Sequence, residues 1–241
     1  MIVFGDVFKS FGDLPVLRGV TLTVRAGTVH HVIGQSGAGK SVLVKLVVGL
    51  VRPDAGSIVL AGQELSGLDE HGFREVRERC QLIFQAATLF DGLTLLENVA
   101  MPLRRRFGLS AAEARGRAQA ALERVRALEQ AARSPAEVGA GVRKRVAVAR
   151  ALALEPRVLL YDEPTTSLDP VAARRTDRLI RETTDDLGLT SVVVSHDLVS
   201  VRTGDRVSFL HEGRVRFDGE PRELFACDDP VVRRFVTGGR D

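Results

Sequence analysis

The stretch Gly34-Gln35-Ser36-Gly37-Ala38-Gly39-Lys40-Ser41 constrains this chain more than any other. It joins a short apolar run, Thr28–Gly34, to a run of helical character from Gly39 to Leu50, which stops at Arg52-Pro53-Asp54. Its glycines let the backbone curl, so that successive amide N–H groups point at one anion. Lys40 supplies a point charge for the β- and γ-phosphates, and Ser41 offers a hydroxyl to Mg²⁺. The helix start adds its partial positive charge. Strand, glycine-rich turn and helix in this order predict a nucleotide site cradled by Gly34, Gln35, Ser36, Gly37, Ala38, Gly39, Lys40, Ser41 and Val42. A turn that holds no ligand is the alternative, which the flanking strand and helix disfavour.

A second segment matches the first in chemistry. Val158-Leu159-Leu160-Tyr161-Asp162-Glu163 is an apolar strand ending in two acids. In a parallel sheet such an ending sets carboxylates at the carboxyl edge, beside the phosphate loop. Asp162 is then the candidate Mg²⁺ ligand, and Glu163 the candidate general base for the attacking water. Alone the pattern is weak, because a buried strand with a solvated end would look the same.

Periodicity divides the rest of the chain. Met1–Phe8 and Val16–Val24 alternate as strands, and Ser57–Leu60 returns as one. From about residue 86 the pattern turns helical. Leu95–Arg106 and Ala111–Leu128 each follow a capping box, Thr94…Glu97 and Ser110…Glu113, and Val142–Leu154 is a third helix. Strand Val158–Asp162, helix Pro170–Asp186 and strands Thr190–Ser195 and Val207–Leu210 restore α/β alternation. The expectation is a single unit with an α/β core from residues 1–85 and 151–220. A helical subdomain, 86–150, is inserted in it, and a short helical tail, 221–241, follows.

Composition narrows the function. The 34 basic and 31 acidic residues leave a net charge of only +3, so a polyanion-binding role for the whole chain is not indicated. The runs Arg104-Arg105-Arg106 and Arg143-Lys144-Arg145 carry no interleaved aromatics; they read as solvated helix faces or support near phosphates, and no nucleic-acid partner is expected. Cys80 and Cys227, far apart in sequence, suit structural thiols in a reducing compartment. The N-terminus shows no signal segment. The richest apolar stretch, Val42–Val51, is interrupted by Lys45 and is shorter than the roughly 18 residues of a membrane span.

With these segments in this order, the chain resembles the ATP-binding subunits of ABC transporters over nearly all its length. The resemblance implies a P-loop NTPase (RecA-like) core with an N-terminal antiparallel β subdomain and an inserted helical subdomain. It implies ATP and Mg²⁺ as cofactors. Phe11 would stack on adenine, although a phenylalanine there could also be core. Gln85, in Leu82-Ile83-Phe84-Gln85, would contact Mg²⁺ and water and sense a permease. Asp169, in Ser167-Leu168-Asp169-Pro170, would cross to a partner subunit. His196 would act as the switch histidine at the γ-phosphate, so that Glu163, His196 and Gln85 form the catalytic set.

One family segment departs from its pattern. The signature loop Leu-Ser-Gly-Gly-Gln has as its counterpart Val138-Gly139-Ala140-Gly141-Val142. Gly139 replaces the serine that bonds the partner's γ-phosphate, and Ala140 adds a methyl group. Gly139, Ala140 and Gly141 still present amides at a helix start, so slowed hydrolysis is expected rather than none.

Ala87–Thr94, Glu97–Leu103 and Asp229–Gly238 resemble the Mla/Mkl-type phospholipid transporters that serve MCE-domain proteins. The first of these stretches is shared in part with amino-acid importers. The leading expectation is therefore the ATPase of a lipid transporter. It would act as a homodimer on a membrane permease at the cytoplasmic face of the inner membrane, with MCE-domain partners. An amino-acid importer, a nucleotide-binding regulatory subunit of very low turnover and a small-molecule kinase are the alternatives.

Overall fold

The computed structural model describes residues 1–238. Two long strands open the chain, β1 (Ile2–Phe11) and β2 (Leu14–Val24), paired antiparallel. They are followed by β3 (Val29–Ile33), α1 (Lys40–Val47), β4 (Ala55–Leu60), β5 (Gln63–Glu64), α2 (Glu70–Arg79) and β6 (Cys80–Ile83). The helical stretch holds α3 (Leu95–Phe107), α4 (Ala111–Arg124) and α5 (Ala140–Leu152). The chain continues through β7 (Val158–Asp162), α6 (Pro170–Leu187), β8 (Thr190–Ser195), α7 (Leu198–Val201), β9 (Arg206–His211) and β10 (Arg214–Gly219). Two short helices, α8 (Pro221–Phe225) and α9 (Pro230–Val236), follow. Residues 239–241 of the expected tail lie outside the described residues.

The strands form two sheets, one ordered β2-β1-β4-β5 and the other β10-β9-β3-β8-β7-β6. In the second, β9, β3, β8, β7 and β6 run parallel, and β10 closes one edge antiparallel. The period of two along a strand sends alternate residues to opposite layers. Leu160, Val192 and Val194 face a core shared with α1 and the antiparallel sheet, while Leu159, Tyr161 and Val193 face the helices α3 to α6. Both faces of the parallel sheet are thus covered, which is why its strands read as continuous apolar runs. This is the P-loop NTPase architecture, an α/β core with an antiparallel N-terminal sheet.

Several boundaries differ from those read in the sequence. The helix expected over 111–128 ends at Arg124, since Arg126 takes a left-handed φ of 56° that an α-helix cannot continue through. Helix α5 starts two residues before Val142, at Ala140, so Gly139 is its N-cap. α2, β5, β6, α7 and β10 were not read at all. α2 carries only two buried residues, Phe73 and Val76, too few to produce a clear helical period. Both capping boxes are present as expected, with Thr94 accepting from the Glu97 amide and Ser110 from that of Glu113. Among the described residues, no helix is long and apolar enough to cross a membrane.

Candidate nucleotide site

The site forms where the carboxyl ends of β3, β7 and β8 meet the start of α1. A Cβ at Gly34 would collide with the Leu210 carbonyl, and Gly39 sits at φ 100° with Leu17 and Val16 against it. Neither position accepts a side chain at this turn. The loop therefore packs onto β9 and β2, and within it the Ala38 amide donates to the Gln35 carbonyl at 3.2 Å. Lys40, buried at 6% exposure, donates from Nζ to the Gly34 carbonyl at 2.9 Å and the Gln35 carbonyl at 3.0 Å. Its ammonium also lies 3.7 Å from Glu163 Oε1. Burial lowers the Lys40 pKa from its usual value, and the neighbouring Glu163 and Asp162 carboxylates oppose that shift.

Ser41 and Asp162 meet directly, the serine hydroxyl donating to Asp162 Oδ1 at 2.6 Å. One residue on, Glu163 leaves β7 in a left-handed conformation, φ 51°, which an L-residue keeps only when its surroundings hold it. Its amide donates to the Val194 carbonyl at 2.9 Å. Its carboxylate is oriented on one side, with His196 Nδ1 at 2.8 Å and the Thr166 hydroxyl at 3.0 Å, both on Oε2. A carboxylate can only accept, so the imidazole contact places the proton on Nδ1.

A single cavity of about 620 Å³ gathers most of the expected residues. Ser36, Gly37, Gly39, Lys40, Ser41, Val42, Gln85, Glu163 and His196 line it, joined by Leu14, Val16 and Thr166. Gly34 and Gln35 lie beneath Lys40 as acceptors, and Ala38 is buried in the turn. Leu14 and Val16 escaped the sequence reading because nothing local marks them. Thr166 stood three residues after Glu163 and could have been found.

Five expected ligand residues do not join this cavity, and four of them gather elsewhere. Gly139, Ala140, Gly141 and Asp169 line a separate depression of about 250 Å³ with Ser167 and Arg175. There the Asp169 carboxylate caps α6, accepting from the Val171 and Ala172 amides at 2.9 Å. Phe11 ends β1 at 50% exposure and is not among the lining residues; Lys9 Nζ sits 5.4 Å from its ring centre.

Arg104 and Arg105 are exposed, as a solvated face requires, whereas the second basic run departs from that half of its reading. Arg145 donates to the Arg126 carbonyl at 2.7 Å, Arg143 to that of Val138 at 2.6 Å, and Lys144 is buried at 6% exposure. Arg143-Lys144-Arg145 is thus not a solvated face. A further groove of about 320 Å³ runs between β6, α3 and α5, bordered by Phe84, Phe90, Met101 and Arg150. Buried Asn98 shapes its rim, accepting from the Phe90 amide at 2.7 Å and donating to the Phe90 carbonyl at 3.0 Å.

Comparison with known proteins agrees with this geometry. The family described as ABC transporter matches residues 17–166. The methionine import ATP-binding protein MetN of Caulobacter vibrioides is 43% identical, over 98% of this chain and 72% of its own length. MetN 2 of Pseudomonas aeruginosa is 37% identical, over 98% and 72%, and MetN of Rhizobium etli is 38% identical, over 97% and 65%. The chain thus spans roughly two thirds of these relatives. Among solved structures, the dimeric cassette MJ0796 bound to ADP and phosphate superposes with a TM-score of 0.84 at 31% identity, covering 92% of this chain and 99% of that one. Another is cbiO1 from Clostridium perfringens, part of the transporter complex cbiONQ, with a TM-score of 0.87 at 28% identity, covering 98% and 94%.

These relatives are named as methionine importers, so the expected phospholipid transport and MCE-domain partners find no support among them. Of the stretches that suggested lipids, Asp229–Gly238 and residues 87–103, the latter resembles amino-acid importers in part as well. Matched over residues 17–166, and over 98% of its own length by a relative 43% identical to it, this chain belongs to the ABC transporter family, as an ATP-binding subunit that hydrolyses ATP.

Proposed function

We propose that this chain is the ATPase motor of an importer for methionine or a chemically similar amino acid, working in pairs on a membrane permease. The observation that carries the catalytic part is the convergence of Lys40, Ser41, Glu163 and His196 on one cavity, with Asp162 bonded to Ser41 at its edge. The relatives' names carry the substrate class.

The phosphates of ATP lie on the amides of Gly34–Ser41, with Lys40 as counter-charge. Among the described residues no group of three or more His, Cys, Asp or Glu could hold a metal alone, so the cation enters with the phosphates. The Ser41–Asp162 pair fits a small oxygen-seeking ion, with Gln85 nearby; bound there, Mg²⁺ would offset phosphate charge. Glu163 is the general base. Its Oε2 is engaged by His196 and Thr166, which leaves Oε1, on the Lys40 side, to take the proton from water. His196 orients that carboxylate and reaches toward the γ-phosphate.

Gly139–Gly141 and Asp169 lie apart from the chain's own cavity, which suits a role at the site of a second copy. Two copies closing face to face would each complete the other's nucleotide site. The groove at Phe84, Phe90 and Met101 is then the place for the permease. Membrane attachment follows from the permease, at the cytoplasmic face. Reconstitution of the chain with its permease in liposomes tests the proposal. ATP-dependent uptake of labelled L-methionine, abolished by Glu163→Gln, is expected; movement of labelled phospholipid with no methionine uptake would overturn the substrate class.

A further inference from the structure

Lys144 is buried on α5 between two arginines, yet among the described residues its ammonium forms no ion pair with a carboxylate side chain. It donates to two backbone carbonyls, that of Gln85 and, at 3.4 Å, that of Glu163. These carbonyls belong to adjacent strand ends. β6 and β7 pair in parallel with Ile83 opposite Tyr161, so Gln85 and Glu163 each lie two residues beyond the last matched pair. One cation therefore ties together two of the three residues assigned to catalysis. Desolvation lowers its pKa, and the nearby Asp162 and Glu163 favour the charged form.

The tie matters because of the backbone it holds. Glu163 is in a left-handed conformation whose cost the surroundings must offset. Its N–H is fixed by Val194, and its C=O accepts from Lys144 and, at 3.3 Å, from the Thr166 amide. Lys144 also stands five residues after Gly139, on the same helix that begins at the signature loop. A helix moves as a rod, so displacement of that loop displaces the ammonium and the two carbonyls with it.

We infer that Lys144 is a positioning residue, which sets the Glu163 peptide and the Gln85 loop in register and transmits movement of the Gly139–Gly141 loop to the general base. The inference rests on the proposed role of Glu163 in hydrolysis. Lys144 touches no substrate; it acts through the backbone of the residues that do. Methionine at this position would keep the apolar stem and remove the donors. Glutamine would keep two N–H donors but is shorter and uncharged, and so would hold the two carbonyls less strongly.

The experiment measures steady-state ATPase, MgATP affinity and thermal unfolding for the wild type, Lys144→Met, Lys144→Gln and Glu163→Gln. Loss of a charged donor predicts kcat down roughly 10- to 100-fold for Lys144→Met, with a smaller loss for Lys144→Gln. Affinity for MgATP and the unfolding midpoint stay near wild type in both. Wild-type kcat in both variants overturns the inference. So does a kcat loss matched by an equal loss of affinity or a collapse of the midpoint, which would mark a structural lysine. Should the methionine variant not fold, the kcat and affinity of Lys144→Gln decide by the same criteria. A wild type no faster than Glu163→Gln would instead remove the hydrolysis reading itself.

Discussion

The Ser41 hydroxyl donates to Asp162 Oδ1 at 2.6 Å, joining two residues 121 positions apart. The bond places one oxygen from the phosphate loop and one from the end of β7 on the same point. Ser41→Ala or Asp162→Asn is therefore expected to raise the Mg²⁺ concentration needed for half-maximal ATPase by about tenfold or more, the scale of one lost charged contact. A Mg²⁺ titration of each variant checks this; an unchanged midpoint would remove both residues from the metal site.

Glu163→Gln keeps the shape of the base and removes its basicity. Turnover should fall by roughly 10²- to 10⁴-fold while MgATP still binds. If closure follows ATP, this variant should accumulate as a dimer in light scattering with MgATP. A strictly monomeric variant at saturating nucleotide would argue against paired action.

His196 has a side chain 61% exposed, and it contacts the Glu163 carboxylate without supporting the core. His196→Ala should therefore lower kcat strongly and leave the unfolding midpoint almost unchanged. Thr166→Val removes the other Oε2 donor and is expected to have a smaller effect of the same kind, because the threonine holds only the carboxylate, whereas His196 also reaches toward the γ-phosphate in the proposed mechanism. The kcat ratio of the two variants measures this order.

Gly139 has nothing within 4 Å of the place where a Cβ would stand, so a side chain can be added there without strain. If the missing hydroxyl limits the pair, Gly139→Ser should raise ATPase by about 10- to 100-fold, the value of a hydrogen bond to a charged phosphate. No gain in rate would mean that the amides of this loop already suffice.

His30 and His31 are buried side by side on β3, and burial lowers their pKa values to about 4 and about 3. His30 Nε2 bonds to the Ser208 hydroxyl at 2.7 Å; among the described residues neither His31 nitrogen has a partner. Both histidines fold as neutral rings, so below the unfolded value near 6.5 the unfolded chain binds more protons. Their contribution is complete above that value and is lost as pH falls through the folded ones. Stability should drop by roughly 1.4 kcal/mol per pH unit per histidine below pH 6.5. Denaturant midpoints between pH 7 and pH 4 test the slope, which His31→Leu should reduce.

His196 was legible only through the family resemblance, while the sequence alone determined the glycine-rich turn Gly34–Ser41, the acidic end of β7 and the capped starts of α3 and α4. Each is written within a few neighbouring residues, and its chemistry is local: glycines free a turn, a hydroxyl caps an amide. Tertiary structure alone decided which partners such residues meet. It turned Lys144 inward under two strand ends, although its charged neighbours read as a solvated face. It brought Leu14 and Val16 from a distant strand to the cavity, and it set Gly139 and Asp169 away from their own phosphate loop. α2 and β6 were unreadable for the same reason: Phe73 packs on Gly49, and β6 is stabilised by pairing with β7. Burial and pairing across long sequence separations leave no local pattern.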